Sequence, residues 1–166
     1  MTVRTLSMIF SVGAYGFDGE SFVDALVAHQ VDALVDIRQR RVVRGKTHAF
    51  ANISRLLALL SGCSIPYVYL KSLAPSTEIR QLQLNEDDAA SVTKGSRRSL
   101  SAVFSSAYID NVLSRFEPEN FLFALPPSAV RPALFCVERF PQACHRSLVA
   151  DFLSRNLDVP IGHIGP

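Results

Sequence analysis

Residues Pro132 to Ser147 read Pro-Ala-Leu-Phe-Cys-Val-Glu-Arg-Phe-Pro-Gln-Ala-Cys-His-Arg-Ser, and this stretch decides the fold. Its first part, Ala133 to Val137, is an apolar run with the length of a buried strand. Pro141 then forces a turn, and helical spacing of apolar residues follows from Leu148 to Leu153. The stretch therefore predicts a strand, a loop and a helix, with Cys144 to Arg146 at the helix N-terminus, where free N–H groups favour anions.

Apolar runs of strand length alternate with segments of helical spacing along the rest of the chain. The other predicted strands are Leu6–Val12, Ala33–Ile37, Ile65–Leu70 and Val159–Ile164. This alternation favours an α/β fold with right-handed crossovers. We therefore predict a single three-layer domain over residues 1–166, with a mainly parallel sheet of about five strands and helices on both faces. The polar segment 85–99 lacks periodicity and is expected to form a mobile loop or a lid.

The composition limits the class of protein. The chain has 166 residues, of which 48% are hydrophobic and 19% charged, so it can bury a core and is not disordered. Its formal net charge of +2 argues against a general polyanion-binding surface, so an anionic partner must meet a local cluster of charge. Three cysteines do not form a disulfide framework, and the N-terminal apolar run is too short to span a membrane. We expect a cytoplasmic protein without a membrane partner.

The predicted topology directs attention to one edge of the sheet. In parallel α/β sheets, ligands bind outside the carboxyl ends of the strands. Four predicted loops lie at those ends, and they hold most of the residues that neither core packing nor a solvated surface explains. These loops span residues 13–19, 38–50, 71–76 and 139–143. The sequence therefore predicts a single site.

Four side chains in or beside these loops are candidates for chemistry: Asp36, Glu138, Cys144 and His145. Cys144, next to His145 at a helix start, is either a nucleophile with a lowered pKa or a small buried side chain that packs the loop. Asp36 and Glu138 both lie at strand ends and can form a carboxylate pair for acid–base work. The alternative for Asp36 is a salt bridge with Arg38 that ties loops together.

Further residues are candidates for ligand binding. His145 with Arg146 suits an anion clamp, and the basic run Arg38–Lys46 is either a phosphate contact or a solvated loop. The predicted binding residues are Gly13, Tyr15, Arg38, Arg40, Arg41, Arg139, Arg146 and Ser147. Cys136, Cys144 and His145 lack the short spacing typical of zinc ligands, so we expect no metal and no cofactor.

Several motifs are spread over nearly the whole chain. The most specific is Cys-x-Glu-x-x-Pro-x-x-Cys-His-Arg, met in full by Cys136–Arg146. The others are the glycine-aromatic loop Ser11–Gly16, the strand end Val35–Arg38 and the ending His163-Ile164. Together they resemble a bacterial and archaeal family known as a domain of unknown function, number four-eight-eight. Leu73-Ala74-Pro75 resembles a Leu-Ala-Pro subgroup in place of the commoner Leu-Gly-Gly. The resemblance implies an α/β sandwich and supplies no established reaction.

Three functions are compatible with these observations. The first is binding of a phosphate-bearing or nucleotide-like small molecule in a crevice at the strand ends, where the four candidate side chains act on it chemically. The second is a non-catalytic nucleic-acid-binding module that uses Arg38–Lys46 and the pair Arg97-Arg98. The third is a structural or interaction protein whose polar crevice only fixes loops. The first and second differ in salt dependence, because contacts to several phosphates weaken steeply as salt rises.

Overall fold

The computed structural model describes residues 5–166 and contains a five-stranded parallel sheet. The strands in chain order are β1 (Ile9–Gly13), β2 (Ala33–Asp36), β3 (Tyr67–Tyr69), β4 (Pro132–Cys136) and β5 (Ile161–Ile164). Their order across the sheet is β3-β2-β4-β1-β5, and every pair is parallel. The predicted α/β class and the parallel sheet are confirmed. Residues 1–4, which the predicted domain includes, lie outside the described part of the chain.

Six α-helices connect the strands. They are α1 (Gly19–Ala28), α2 (Ile53–Gly62), α3 (Thr77–Ala89), α4 (Ala102–Asn111), α5 (Pro118–Ala124) and α6 (His145–Leu157). Short 3₁₀ turns lie at Ala49–Ala51, Lys71–Leu73, Leu113–Arg115 and Pro141–Ala143. None of the helices in residues 5–166 combines the length and the apolar character that a membrane span requires.

The two faces of the sheet carry separate hydrophobic cores. On one face, Phe10 and Val12 of β1 pack with residues of α1 and α2 such as Phe22 and Leu56. On the other face, Ile9 packs with residues of α4, α5 and α6. Successive residues of a strand point to opposite faces, so strands covered on both faces read as continuous apolar runs. This arrangement gives the three layers that the sequence predicted.

The segment 85–99 begins inside a helix, because α3 continues to Ala89. The residues of α3 that are buried beyond Ile79 are Gln83 and Asp87, which are polar. Arg97, at the other end of the segment, is also buried. The buried positions of α3 therefore recur with helical spacing, but polar residues occupy two of them, so a hydrophobic pattern does not reveal them.

The strand–loop–helix at residues 132–147 lies in the middle of the fold. β4 is paired on both sides, with β2 and with β1, and all five of its residues are buried. The chain then turns through Pro141–Ala143, and α6 begins at His145 with Cys144 as its N-cap. β4 and the N-terminus of α6 therefore bring the residues of the most specific motif to the carboxyl edge of the sheet.

Candidate functional site

A cavity of about 260 Å³ opens at the carboxyl ends of the strands. Its lining comes from the segments that follow β1, β2, β3 and β4, from α3 and the α3–α4 connection, and from the first turns of α4 and α6. Half of the predicted site residues are part of this lining: Tyr15, Arg38, Arg40, Glu138, Cys144 and His145. The sequence predicted a site at this edge of the sheet, and we call the cavity the crevice.

Two thiols and one imidazole meet at the base of the crevice. The ligand-type atoms of Cys136, Cys144 and His145 all lie within 4.8 Å of one another, and the three side chains are buried. Nδ1 of His145 is 3.9 Å from Sγ of Cys136 and 3.8 Å from Sγ of Cys144. We call these three residues the thiol–imidazole cluster. Cys136 joins it because the fold returns the N-terminus of α6 to the end of β4.

The orientation of the His145 ring is fixed by its other nitrogen. Nε2 lies 3.0 Å from the carbonyl oxygen of Ile37, and a carbonyl can only accept, so Nε2 carries a proton and donates it. The ring also meets Tyr108 edge to face at 5.4 Å between centroids. Nδ1 consequently points at the two sulfur atoms.

Buried groups in this cluster influence one another's ionisation. Burial opposes the Cys144 thiolate, but a hydrogen bond from Cys136 and the charges of His145 and Arg146 lower the pKa of the Cys144 thiol well below its usual value. The same hydrogen bond, with burial, raises the pKa of Cys136. Burial works against the imidazolium of His145, yet the neighbouring Cys144 raises its pKa. Cys144 and His145 therefore favour each other's charged forms.

Glu138 lies beside the cluster in a network of charged side chains, of which Lys94 is exposed and the others are buried. Its Oε1 accepts from Arg97 at 3.0 Å and lies 3.5 Å from Nζ of Lys94. Its Oε2 lies 3.3 Å from Sγ of Cys136. Arg97 also donates to Asp87 at 2.6 Å and to the carbonyl of Ala143 at 3.1 Å. Burial, followed by the nearby Cys144, raises the pKa of Glu138 despite these cations.

Asp36 is committed to internal hydrogen bonds. Its Oδ1 accepts from the backbone N–H of Arg38 at 3.0 Å and from Nε at 2.9 Å, and its Oδ2 accepts from Arg38 at 2.7 Å and from the Tyr67 hydroxyl at 2.7 Å. Arg38 donates onward to the carbonyl of Ala51 and stacks on Phe135. Both charges are buried and paired, so they tie the segment after β2 to its neighbours.

Arg146 is likewise used inside the protein. Its guanidinium donates to the carbonyls of Glu138 at 2.6 Å and Arg139 at 3.0 Å, and to the Ser11 hydroxyl at 3.3 Å. It is 1% exposed. Gly13 permits this arrangement, because a Cβ there would lie 1.9 Å from the Glu138 carbonyl oxygen. Arg146 and Gly13 position the end of β4 and do not line the crevice.

The remaining predicted site residues lie outside the lining. The guanidinium of Arg41 stacks on Tyr69 at 4.2 Å, and the exposed Arg139 lies over Phe140. The hydroxyl of Ser147 donates to the Cys144 carbonyl at 3.0 Å within the first turn of α6. Asp36 also lies outside the lining, although its neighbour in the chain, Ile37, accepts a hydrogen bond from His145 through its carbonyl oxygen.

Cations dominate the wall of the crevice. The basic side chains in the lining are Arg38, Arg40, Arg44, Arg80, Lys94 and Arg97, and Glu138 is the only acidic one among the described residues. Arg38 and Arg97 are neutralised by their carboxylate partners. Within residues 5–166, no ion pair involves Arg40, Arg44 or Arg80. The sequence did not single out Arg80 or Lys94, because both lie in polar segments far along the chain from the motif.

Two of the arginines proposed for a nucleic-acid surface are buried. Arg38 and Arg97 are 3% and 7% exposed and are bonded inside the protein. Arg98 is exposed and stacks on Phe140 at 4.3 Å. Only part of the two basic segments is therefore free to contact phosphates.

The chain matches a protein-family model described as Domain of unknown function DUF488 over residues 18–153. This match covers most of the chain, which therefore belongs to the DUF488 family, as its motifs indicated. The matched region contains β2, β4, the thiol–imidazole cluster and the whole basic segment after β2. A comparison with curated proteins found no match. A comparison with solved structures found none either.

Proposed function

We propose that this member of the DUF488 family binds a small phosphate-bearing or nucleotide-like ligand in the crevice. The observation that carries the proposal is the set of arginines in the lining, Arg40, Arg44 and Arg80, which lack carboxylate partners within residues 5–166. Arginine presents a rigid fork of donors that suits phosphate oxygens. Arginines that line one concave space without a carboxylate partner favour an anion there.

The charge of the crevice supports the same ligand class. Asp36, Asp87 and Glu138 offset the buried Arg38 and Arg97 and part of the charge of Lys94. The outer arginines remain in excess, although the whole chain has a net charge of only +2. A concave site lined by one sign of charge raises the local concentration of ligands of the opposite sign.

The size and the apolar part of the lining favour a small organic anion. The volume of about 260 Å³ is slightly below the usual range for ligand pockets, roughly 300–1,000 Å³. Val42, Leu84, Leu100 and Phe104 also contribute to the lining. These side chains offer contacts to the organic part of a phosphate ester or nucleotide, while the arginines take the phosphate.

The reactive groups that face such a ligand are Glu138, Cys144 and His145, which line the crevice. Asp36 is excluded from acid–base work in this proposal, because both of its oxygens already accept two hydrogen bonds. All three cysteines are free thiols. Free thiols suit a reducing compartment, and we propose a cytoplasmic location on this ground.

Calorimetric titration with pyrophosphate, AMP and ADP tests the proposal, using wild-type protein and the double variant R40A/R44A. Both arginines are exposed, so their loss leaves the fold intact. We expect wild-type protein to bind at least one of these probes, and the double variant to bind it at least about 10-fold more weakly, since a charged hydrogen bond contributes about 1.5–3 kcal/mol.

The control is R115A/R155A, which removes the same charge from exposed positions outside the lining. The affinity of this control for the probe should stay within about twofold of wild type. The difference in binding free energy is then well under the 1.4 kcal/mol that corresponds to a tenfold change. If both double variants lost the same affinity, the change in net charge would explain the result, and the proposed site would be contradicted. Tighter binding of a single-stranded oligonucleotide than of any small probe, with a steep salt dependence, would instead support the nucleic-acid module.

A further inference from the structure

We propose that the thiol–imidazole cluster binds one divalent transition-metal ion of the zinc type, held by Sγ of Cys136, Sγ of Cys144 and Nδ1 of His145. This inference goes beyond the anion site, because it gives the base of the crevice a second ligand of different chemistry, and it does not require the anion. The expectation of no metal came from the spacing of these residues along the chain. A metal ion requires ligand atoms that are close in space, and the fold brings these three within 4.8 Å of one another.

The distances suit four-coordinate zinc. Zn–S bonds of about 2.3 Å and Zn–N bonds of about 2.0–2.1 Å at tetrahedral angles put sulfur and nitrogen about 3.5 Å apart. Nδ1 of His145 is 3.9 Å from Sγ of Cys136 and 3.8 Å from Sγ of Cys144. Contractions of a few tenths of an ångström bring Nδ1 to this distance from each sulfur atom, and the two sulfur atoms already lie within 4.8 Å of each other.

The free nitrogen of His145 is prepared for a metal. Its only hydrogen-bond contacts within residues 5–166 are with the two sulfur atoms, although the side chain is buried. The opposite nitrogen donates to the carbonyl of Ile37. Metal-binding histidines almost always donate their second N–H to a carbonyl, carboxylate or water, which fixes the tautomer and the ring. His145 has this outer partner.

The donor set selects the class of ion. Two thiolates and an imidazole favour Zn²⁺ and its neighbours over Mg²⁺ or Ca²⁺, which prefer oxygen ligands. A divalent ion with two thiolates and a neutral imidazole has no net charge, so its burial costs little. All three ligand residues line the crevice, and a fourth ligand therefore comes from that side, as at catalytic zinc sites.

Titration of reduced, metal-free protein with Co²⁺ in phosphate-free buffer tests the proposal. Cobalt is a spectroscopic substitute for zinc and takes the same ligands. We expect one equivalent per chain, a thiolate-to-cobalt charge-transfer band, the d–d bands of four-coordinate Co²⁺, and loss of both on addition of one equivalent of Zn²⁺. Absence of the thiolate band in wild-type protein overturns the proposal without reference to any variant.

Two variants, C136S and C144S, should each weaken binding by at least about 100-fold, more than the 10–100-fold that loss of an outer partner costs. The matched control is C63S, because Cys63 is a free cysteine outside the cluster. It should bind like wild type. Retention of wild-type affinity by C136S and C144S overturns the proposal. R40A/R44A should keep the metal and lose the anion, so failure of the anion site and failure of the metal site remain distinguishable.

Discussion

Gly13 shows how one residue determines the shape of the site. A Cβ at this position would lie 1.9 Å from the Glu138 carbonyl oxygen and 3.0 Å from the Arg146 guanidinium. The first neighbour is backbone and cannot move aside without shifting the end of β4. We predict that G13A lowers the free energy of unfolding by at least about 2 kcal/mol, as overpacking does in a close-packed interior. Urea denaturation measures this difference.

The control for G13A is G62A. Gly62 ends α2 and has no heavy atom within 4 Å of an added Cβ, so alanine there should leave stability unchanged or raise it by up to about 1 kcal/mol. A G13A protein as stable as G62A would contradict the packing role and return Gly13 to the list of ligand contacts.

At the residue scale, some of the contacts of the predicted site residues could be predicted from the sequence and others could not. Asp36 and Arg38 alternate along an extended strand end, so their mutual salt bridge was one of the two outcomes considered. The role of Arg146 had no such local signal. Its partners are the Ser11 hydroxyl and the carbonyls of Glu138 and Arg139. Carbonyl groups belong to every residue, so no sequence pattern marks the ones that a buried arginine will use.

At the scale of elements, Arg97 joins the α3–α4 connection to the site. It bonds Asp87 of α3, Glu138 after β4 and the carbonyl of Ala143 before α6. We predict that R97A destabilises the protein by about 3–5 kcal/mol, because it removes the arginine partner of two buried carboxylates. Denaturation measures the loss, and limited proteolysis should show new cleavage between residues 90 and 101.

R98A is the matched control, because Arg98 is the next residue, carries the same charge and is exposed. It should change stability by less than about 0.5 kcal/mol and leave the cleavage pattern unaltered. If R97A behaved like R98A, other contacts would hold the connection in place, and the role assigned to Arg97 would be wrong.

The elements could be predicted where burial follows hydrophobic side chains. β4, buried over all five residues, was evident from its apolar run. α3 was not followed to its end, because Gln83 and Asp87 occupy its buried positions after Ile79. These two side chains bond to each other at 2.7 Å, and Gln83 accepts from the Ser101 backbone at 2.8 Å. Polar side chains that form such hydrogen bonds can occupy the buried face of a helix, and the sequence then shows no hydrophobic periodicity.

At the scale of the whole molecule, the alternation of strands and helices was sufficient for the architecture. Parallel strands need long crossovers, and right-handed crossovers place successive helices on faces that depend on strand order. The two cores on opposite faces of the sheet follow from this rule. The contacts among the side chains at the base of the crevice could not be predicted in the same way. Cys136 and Cys144 belong to different elements, and their approach depends on the turn at Pro141–Ala143.

A sheet shared by both cores predicts that the chain unfolds as one unit. We expect a single calorimetric transition, with equal calorimetric and van't Hoff enthalpies. For 166 residues, the enthalpy should be about 115 kcal/mol near 60 °C at about 0.7 kcal/mol per residue. L134A, in the middle of the sheet, should shift the whole transition downward, because deletion of a fully buried leucine costs about 2–5 kcal/mol.

F123A is the comparison, since Phe123 is 82% exposed and its loss should leave the transition in place. At about 2–4 °C per kcal/mol for a chain of this size, the L134A shift is at least about 4 °C and easily measured. Two resolved transitions, or a shift confined to part of the heat absorbed, would mean that the two faces unfold separately. Such a result would contradict the prediction of a single domain, because β4 contributes side chains to both cores through Leu134 and Phe135.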